Sequence, residues 1–308
     1  MSTPIRFDNQ VAIVTGAGGG LGRSHALQLA ARGAKVVVND LGVSRNGSGD
    51  GSGNGMTPAE SVVEEIRAAG GQAIASAASV TDPASVQEMV DRAMKEWGRI
   101  DILVNNAGFL RDKTFSKMSL DDFRAIVDVH LMGAVYCTKA VWEIMKQQNY
   151  GRIVMTTSSS GLFGNFGQSN YGAAKMALVG LMQTLALEGE KFNVRVNCLA
   201  PTAATRMTEG IMGADDLALL KPENVTPGLI WLVSQDGPTK TVLCAGAGTF
   251  SRSNVTLTDG IHIGDRPDAA EVLAANAHKL ADRSGEIVPA AGFDQPKMEL
   301  TKARAARA

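Results

Sequence analysis

The sequence has little of what marks a disulfide-stabilised, nucleic-acid-binding or membrane-spanning protein. Its three cysteines, Cys137, Cys198 and Cys244, are widely spaced and form no CxxC pair, which argues against a disulfide scaffold and a structural zinc site. Thirty basic residues against thirty-one acidic residues leave no excess positive charge for nucleic acid. No uninterrupted apolar run reaches the roughly eighteen residues that a membrane-spanning helix needs.

The two ends of the chain carry no targeting signal that we recognise. The first ten residues, MSTPIRFDNQ, lack the apolar core of a signal peptide, and the last four, AARA, differ from the SKL peroxisomal signal. With 44% hydrophobic and 20% charged residues among 308, the chain can bury a sizeable core. We therefore expect a globular cytoplasmic protein without a metal site, a membrane span or a nucleic-acid partner.

Short apolar runs alternate with amphipathic segments of helix length from residue 10 to about residue 245. This alternation predicts an α/β fold of the Rossmann type, a doubly wound parallel sheet with helices on both faces. The predicted strands are Val11–Val14, Lys35–Asn39, Gln72–Ser76, Ile100–Val104, Arg152–Thr156, Val194–Cys198 and Thr241–Ala245. The predicted helices are Gly22–Arg32, Pro58–Ala69, Pro83–Trp97, Ser119–Gln147 and Asn170–Phe192.

A glycine-rich turn, TGAGGGLG, occupies residues 15–22 between the first predicted strand and the first predicted helix. Glycines at such a place let the backbone turn sharply and approach a pyrophosphate, whose charge lies against the helix N-terminus. We therefore expect Gly16, Gly20, Leu21 and Gly22 to bind a dinucleotide. The alternative is an ordinary glycine-rich turn.

Asp40 ends the second predicted strand. A carboxylate there can accept hydrogen bonds from the adenosine ribose and repels a 2′-phosphate. Neither Gly19 nor Leu41, the flanking positions that could hold a basic side chain for that phosphate, is basic. The pattern favours NAD over NADP as the cofactor.

Two segments interrupt the alternation. Residues 42–55 contain six glycines and predict a flexible surface loop, either a lid over the cofactor or a solvated insertion. The tail contains a helix candidate, Asp268–Ala281, and ends in the basic stretch TKARAARA. We therefore expect a single domain over residues 1–250 that binds the cofactor and carries the catalytic residues, followed by a C-terminal extension over residues 251–308.

The residues NNAG follow the fourth predicted strand at positions 105–108. Small and amide residues there can pass under a cofactor while their side chains brace neighbouring backbone. We expect Asn106, Ala107 and Gly108 to contact the cofactor, and a merely structural turn remains the alternative.

Tyr171 and Lys175 lie four residues apart on a predicted helix, so both side chains can project into one cleft. A phenol with its ordinary pKa of about 10 is a poor base at neutral pH. A nearby cation favours the phenolate, which brings Tyr171 into the range for general acid–base catalysis. Ser158, just beyond the fifth predicted strand, could hold a substrate oxygen. Alone, an exposed tyrosine and lysine would be the simpler interpretation of the pair.

The sequence resembles the short-chain dehydrogenase/reductase family over roughly residues 8–250. The resemblance rests on four motifs in the family's order: the turn at residues 15–22, the NNAG at 105–108, Ser158 and the YxxxK at 171–175. The resemblance implies a seven-stranded parallel sheet and a homodimer or homotetramer. It also implies that Tyr171 is the general acid/base, that Ser158 steadies the substrate oxygen, and that Lys175 lowers the pKa of the phenol and binds the nicotinamide ribose.

Further segments narrow the resemblance to one branch of the family. They resemble the (3R)-hydroxyacyl-CoA dehydrogenase part of the peroxisomal multifunctional enzymes type 2, also described as 17β-hydroxysteroid dehydrogenases. The segments are 36–42 (VVVNDLG) with the glycine-rich insertion, 110–112 (LRD), 150–152 (YGR), 164–168 (GNFGQ) and, more loosely, 200–208.

This branch implies NAD-dependent oxidation of a secondary alcohol to a ketone, with (3R)-3-hydroxyacyl-CoA as the favoured substrate in fatty-acid or steroid side-chain β-oxidation. A free 17β-hydroxysteroid dehydrogenase, a 3-oxoacyl reductase and a non-catalytic cofactor-binding module remain alternatives. The multifunctional enzymes continue into a hydratase, so we expect a separate protein to supply that step.

The chain also departs from the wider family pattern. Residues 130–133 are HLMG where most of the family has an Asn that helps to hold a proton-relay water. The multifunctional branch carries His there, so we expect His130 to be catalytic by orienting a water or exchanging a proton, with a buried structural histidine as the alternative. The usual adenine-binding Asp is absent, which leaves the adenine contact to Ser79 or Val80. Residues 201–222 are predicted to form an apolar wall for the substrate.

Overall fold

The computed structural model of the chain describes residues 3–42, 55–204 and 213–307. Most of the predicted loop at residues 42–55, and residues 205–212 of the predicted apolar wall, lie outside the described residues. The chain divides into two compact units, Met1–Arg252 and Ser253–Ala308.

An eight-stranded sheet forms the centre of the first unit, in the order β3-β2-β1-β4-β5-β6-β7-β8. The registers of all neighbouring pairs from β3 to β7 are parallel. The strands are β1 Val11–Thr15, β2 Lys35–Asn39, β3 Gln72–Ser76, β4 Ile102–Asn105, β5 Gly151–Thr156, β6 Val194–Thr202, β7 Val242–Gly246 and β8 Thr249–Ser253. The strand order reverses between β1 and β4, and ligands of such sheets bind at the carboxyl ends of the strands at that point.

The helices of the first unit cover both faces of this sheet. These helices are α1 Gly20–Ala31, α2 Pro58–Ala68, α3 Pro83–Trp97, α4 Leu120–Val127, α5 Gly133–Gln148, α6 Ser159–Phe163, α7 Ser169–Gly189, α8 Ala214–Leu219 and α9 Thr226–Leu232. Neighbouring strand residues alternate between two cores: Val14 belongs to the core beneath α1, α2 and α9, and Ile13 to the core beneath α3, α5 and α7. The predicted doubly wound parallel sheet is confirmed.

Local sequence explains where several of these helices begin and end. The Thr57 hydroxyl accepts from the Glu60 backbone N–H at the start of α2, and the Glu60 carboxylate accepts from Thr57 in return. The Asp82 carboxylate accepts from the Ala84 N–H at the start of α3, and Gly98 ends that helix in the left-handed conformation. The short helices α6, α8 and α9 were not predicted, because one or two turns carry too little periodic signal.

The eighth strand corrects the expected count of seven. β8 follows β7 after only Ala247 and Gly248, whose φ angles are 49° and 72°. A two-residue turn with both φ angles positive is a hairpin turn, so β8 runs antiparallel to its neighbour. Its residues are largely exposed and do not alternate between apolar and polar, which is why the sequence pattern missed it.

The predicted helix Ser119–Gln147 is interrupted in the structure. A π-helical turn, Asp128–Met132, lies between α4 and α5, and His130 is at its middle. A π turn inserts an extra residue into the helical ladder and changes the direction of the side chains that follow. The interruption therefore decides where His130 points.

The second unit contains α10 Ala269–Ala275, α11 Ala277–Leu280 and α12 Asp294–Ala305. A single antiparallel bridge joins Leu257 to Ile287, and Lys302 pairs with Asp259 at 2.8 Å. The predicted helix Asp268–Ala281 breaks at Asn276, and α12 was not predicted. Throughout the described residues of the chain, no helix has the length and apolar character that crossing a bilayer requires.

Candidate active site

The glycine-rich turn lies directly against the NNAG segment. Gly16 has φ +63°, and a Cβ atom there would lie 2.8 Å from the Ala107 Cα. A Cβ at Gly22 would lie 2.2 Å from the Gly16 carbonyl oxygen. The left-handed conformation and the close backbone approach both require glycine. The sequence therefore folds into a cradle without side chains at the start of α1.

The N-terminus of α1 is open to an anion. Gly19 precedes the helix with no side-chain cap, and the first turn, Gly20 and Leu21 included, carries no acidic residue. The backbone N–H groups of such a turn have no intrahelical partner and carry partial positive charge. The cradle and this helix end fit the pyrophosphate of a dinucleotide.

Asp40 closes the cradle from β2. Its Oδ2 accepts from the Gly18 backbone N–H at 2.8 Å, and its Oδ1 accepts from the Gly42 N–H at 2.8 Å. Each carboxylate oxygen has a further lone pair for a ribose hydroxyl. The neighbouring Leu41 is half exposed and apolar.

Asn106 holds the cradle in place. Its Nδ2 donates to the carbonyl oxygens of Thr15 at 2.9 Å and Gly16 at 3.1 Å. The Thr15 hydroxyl in turn accepts from the backbone N–H groups of Asn106 and Ala107. Both amide donors of Asn106 are thus used to brace the turn.

The two residues predicted to contact adenine differ in their surroundings. Val80 is buried and lines a cavity together with Thr15 and Ala107. Ser79 is half-buried, and its hydroxyl is bonded to the Thr81 hydroxyl at 2.9 Å.

The residues predicted to be catalytic come together beyond the carboxyl ends of β4 and β5. Ser158 caps α6, and its Oγ accepts from the Ser160 N–H at 3.2 Å. On α7, the Lys175 Nζ lies 5.4 Å from the centre of the Tyr171 ring and donates to the Thr156 carbonyl at 2.5 Å. His130 meets Tyr171 edge-on, with ring centres 5.2 Å apart.

One hydrogen bond decides the tautomer of His130. Its Nε2 lies 2.8 Å from the carbonyl oxygen of Phe109, which can only accept, so the proton of the neutral ring is on Nε2. Nδ1 is then an acceptor, and it is buried with no hydrogen-bond partner in the described chain. The ring packs so closely on Gly108 that a Cβ there would lie 2.0 Å from its Cε1.

A small cavity of about 10 Å³, enough for about one water molecule, lies beside these groups. Asn105 lines this cavity, and its Nδ2 donates to the Thr138 hydroxyl. Its Oδ1 is a second buried acceptor without a partner among the described residues. Lys175 lines the same cavity and supplies N–H donors to it. A polar cavity with two acceptors and an amine fits ordered water. Sequence reasoning placed Asn105 in the turn but missed this oxygen, because its partners come from distant segments.

Burial shifts the three titratable groups towards their neutral forms. Burial is the main reason that the pKa of Tyr171 rises to about 12. A hydrogen bond from Ser158 lowers this pKa, and the charge of Asp112 contributes to raising it. Burial lowers the pKa of Lys175 to about 7. Burial, and then the charge of Lys175, lowers the pKa of His130 well below its usual value.

That Lys175 lowers the pKa of the Tyr171 phenol stays a prediction, because burial dominates the pKa of both side chains in the protein alone. Burial acts on both side chains, and it favours the neutral phenol and the neutral amine alike. In the protein alone, Tyr171 therefore carries its proton at neutral pH.

Two polar residues near the site, Asp112 and Gln168, had no predicted role and belong to segments that resemble the multifunctional branch of the family. Gln168 donates from Nε2 to Asp112 Oδ2 at 2.7 Å. Gln168 stands three residues before Tyr171, a spacing that could have placed it on the same helix face. No sequence signal links Asp112 to it, because the fold brings the two segments together.

Comparisons with known proteins agree with this geometry. A family model of the short chain dehydrogenases matches residues 10–214. The chain is 46% identical to the mouse (Mus musculus) peroxisomal multifunctional enzyme type 2 over 292 residues, which cover 94% of this chain and 39% of the mouse protein. It thus spans well under half of that relative. The predicted resemblance to this branch is confirmed.

Two solved structures share the fold. Full-length peroxisomal multifunctional enzyme type 2 from Drosophila melanogaster superposes with a TM-score of 0.80 at 36% identity, over 97% of this chain and 50% of that one. A 7α-hydroxysteroid dehydrogenase complexed with NADH and 7-oxo glycochenodeoxycholic acid gives a TM-score of 0.70 at 28% identity, over 79% of this chain and 95% of that one. The chain therefore belongs to the short-chain dehydrogenase family and is an oxidoreductase that acts on CH–OH groups.

Proposed function

We propose that the protein oxidises (3R)-3-hydroxyacyl-CoA thioesters to 3-oxoacyl-CoA thioesters with NAD. The observation that carries the proposal is the convergence of Ser158, Tyr171 and Lys175 beside a dinucleotide cradle that ends at Asp40. Similarity to the mouse enzyme supports the thioester as substrate.

Tyr171 and Ser158 act on the substrate oxygen. Ser158 Oγ accepts from the Ser160 N–H, so its own proton is free to be donated to that oxygen. The Tyr171 phenolate then takes the hydroxyl proton as the alcohol becomes a ketone. A bound oxidised nicotinamide supplies the hydride acceptor and a positive charge that favours the phenolate. Because the pKa of Tyr171 in the protein alone is about 12, alcohol oxidation should accelerate as pH rises through the neutral range.

Lys175 and His130 handle the proton behind the phenol. With a pKa of about 7, Lys175 can gain or lose a proton near neutral pH. His130 cannot pass a proton onwards through Nε2, because that N–H faces the Phe109 carbonyl. We therefore assign it the role of an acceptor that, with Asn105 Oδ1, orients water in the cavity beside Lys175.

Asp40 provides the test of the cofactor. Initial rates with NAD and NADP should favour NAD in the natural protein, because the carboxylate repels a 2′-phosphate. Replacing Asp40 by Ala should lower kcat/KM for NAD and narrow the ratio between the two cofactors. A preference of the natural protein for NADP would overturn the assignment and point to a 3-oxoacyl reductase.

The substrate is tested by comparing a (3R)-3-hydroxyacyl-CoA with a free 17β-hydroxysteroid while nicotinamide reduction is followed by absorbance. We expect rapid reduction with the thioester. A steroid is the second candidate, because the neighbour with a TM-score of 0.70 is a hydroxysteroid dehydrogenase bound to a bile acid derivative. Activity on the steroid alone would transfer the assignment to steroids, and no activity on either would favour the non-catalytic cofactor-binding module.

The homodimer or homotetramer implied by the family is also part of the proposal. Light scattering on the purified chain should give a mass of two or four times 32.3 kDa. A cytoplasmic location and a separate hydratase stay predictions from the sequence.

A further inference from the structure

A series of hydrogen bonds leads from an exposed carboxylate to Ser158. Gln168, only 8% exposed, donates from Nε2 to Asp112 Oδ2 at 2.7 Å. The Oε1 of Gln168 accepts from the Ser160 hydroxyl at 2.7 Å. The backbone N–H of Ser160 donates to Ser158 Oγ at 3.2 Å. The carboxylate and the hydroxyl of Ser158 are thus connected through two intervening residues.

The direction of these bonds follows from the single carboxylate. A carboxylate only accepts, so Asp112 determines which end of the Gln168 amide faces it. The amide oxygen is then directed at Ser160, whose hydroxyl has to donate, and it also accepts from Asn165 Nδ2 at 3.1 Å. Ser160 is thereby held where its N–H occupies an acceptor site of Ser158. Ser158 keeps its own proton for donation.

Two other bonds hold the same segments together independently. The Lys113 backbone N–H donates to the Gly167 carbonyl at 2.9 Å, and Asn170 Nδ2 donates to the Arg111 carbonyl at 3.1 Å. The side chains at positions 112 and 168 can therefore be exchanged while these segments stay joined.

We propose that Asp112 and Gln168 are positioning residues for the reaction, whose mutual hydrogen bond keeps Ser158 directed as a donor to the substrate oxygen. The inference rests on the role proposed above for Ser158. The hydrogen bonds of both residues act on Ser158 through Ser160, and the charge of Asp112 in addition raises the pKa of Tyr171. Neither residue lies in the dinucleotide cradle. Their loss should therefore reduce turnover and leave cofactor binding unchanged.

Reversing the donor and the acceptor tests the proposal. In Q168E two carboxylates face each other, so kcat should fall about tenfold or more. In D112N the two amides can pair in either direction, so the fall should be smaller, about threefold. The double variant D112N/Q168E again pairs one amide with one carboxylate, and the carboxylate at position 168 still accepts from Ser160 and Asn165. Its kcat should recover to within about threefold of the natural protein.

Asp122→Asn is the matched control. Asp122 pairs with Arg111 and Lys113, on either side of Asp112, and does not contact Gln168. Removing this charge should leave kcat within about twofold. For each variant, NADH binding measured by fluorescence and the thermal melting temperature separate a positioning effect from general damage.

Ser158→Ala separates failure of this inference from failure of the proposed function. If S158A keeps full turnover, the role of Ser158 itself is wrong. If S158A is inactive but the double variant is no more active than Q168E, the positioning role is overturned and the proposed function stands. Natural kcat in all variants at positions 112 and 168 would also overturn it.

Discussion

Two buried basic side chains lie at opposite ends of the parallel strands. At the amino ends, Arg152 is almost fully buried, and its guanidinium donates to four backbone carbonyls. At the carboxyl ends, Lys175 is also almost fully buried, but its amine donates to one backbone carbonyl. The four acceptors of Arg152 are the carbonyl oxygens of Gly151, Asn193, Ser234 and Gln235. Asp101, also at the amino ends, accepts from the Val11 N–H at 2.9 Å and from Arg99 in a two-bond ion pair.

The buried polar groups at the carboxyl ends are less completely bonded. His130 Nδ1 and Asn105 Oδ1 both lack a partner in the part of the chain that the structure describes. A buried polar atom without a partner costs free energy, which a bound ligand or water beside the cradle can offset. At the amino ends Gln10 Oε1 also lacks a partner among the described residues, so the contrast concerns Arg152 and Asp101. Arg152 and Asp101 join chain segments, while the groups at the other end remain available for chemistry.

The largest expected effect separates the two ends most clearly. Tyr171→Phe removes the proton acceptor, so kcat should fall by about a thousandfold, within the usual range for a general acid–base residue. Unfolding in urea and NADH binding should stay unchanged, because no cradle contact is lost. If this variant keeps its turnover, Tyr171 is not the proton acceptor, and the carboxyl ends of the strands do not carry the chemistry proposed for them.

Arg152→Met should have the opposite pattern. Four carbonyls lose a donor, and the stacking of the guanidinium on Tyr150, 4.2 Å from the ring centre, is lost. The free energy of unfolding should fall by about 3 kcal/mol in urea titration, while kcat per folded molecule is unchanged. As a control, Arg195→Met removes a donor to the single Gly237 carbonyl and should cost less. Equal losses in the two variants would contradict the account of Arg152.

His25 tests whether a shifted pKa alone marks a catalytic group. Burial lowers its pKa from 6.5 to about 3, yet it lies on α1, away from Tyr171, with Nδ1 bonded to Thr226 at 2.9 Å. Below pH 6.5 the unfolded chain takes up a proton that the folded protein refuses, so its stabilising contribution is lost as pH falls from 6.5 towards 3.

The measurement is the free energy of unfolding between pH 7 and pH 4. The natural protein should lose about 1.4 kcal/mol per pH unit through His25 once this histidine is protonated in the unfolded chain. His25→Gln should flatten the profile by that amount and leave kcat at pH 7 unchanged. The same slope in both proteins would mean that His25 is protonated in the folded state.

Asp101→Asn should give the smallest effect. The amide oxygen can still accept from the Val11 N–H, but the ion pair with the half-exposed Arg99 is weakened. We expect a loss of about 1 kcal/mol in unfolding free energy, since solvent screens the exposed partner. A loss as large as that of Arg152→Met would show that the charge, not the set of hydrogen bonds, holds the amino ends together.

The alternation of apolar runs was sufficient to locate the parallel strands, because strands buried on both faces are almost continuously apolar. The same criterion misses β8, whose exposed residues give no such run. It also places the start of β4 at Ile100, two residues before Ile102, since Ile100 is apolar although it lies outside the strand.

For the site, spacing along a helix predicts that Tyr171 and Lys175 share a face, and the structure brings them together. The direction of the phenol pKa was not predictable, because burial depends on contacts between distant segments. The tautomer of His130 likewise depends on the carbonyl of Phe109, which the fold brings beside it. Residue identity and periodicity are local properties, whereas pKa and tautomer are properties of the assembled core.

The contact between Gly108 and the His130 ring limits how these two positions can vary in evolution. Any side chain at position 108 would overlap the imidazole, since even a Cβ would lie 2.0 Å from its Cε1. A lineage that keeps histidine at position 130 is therefore confined to glycine at 108, while a smaller residue at 130 releases that constraint.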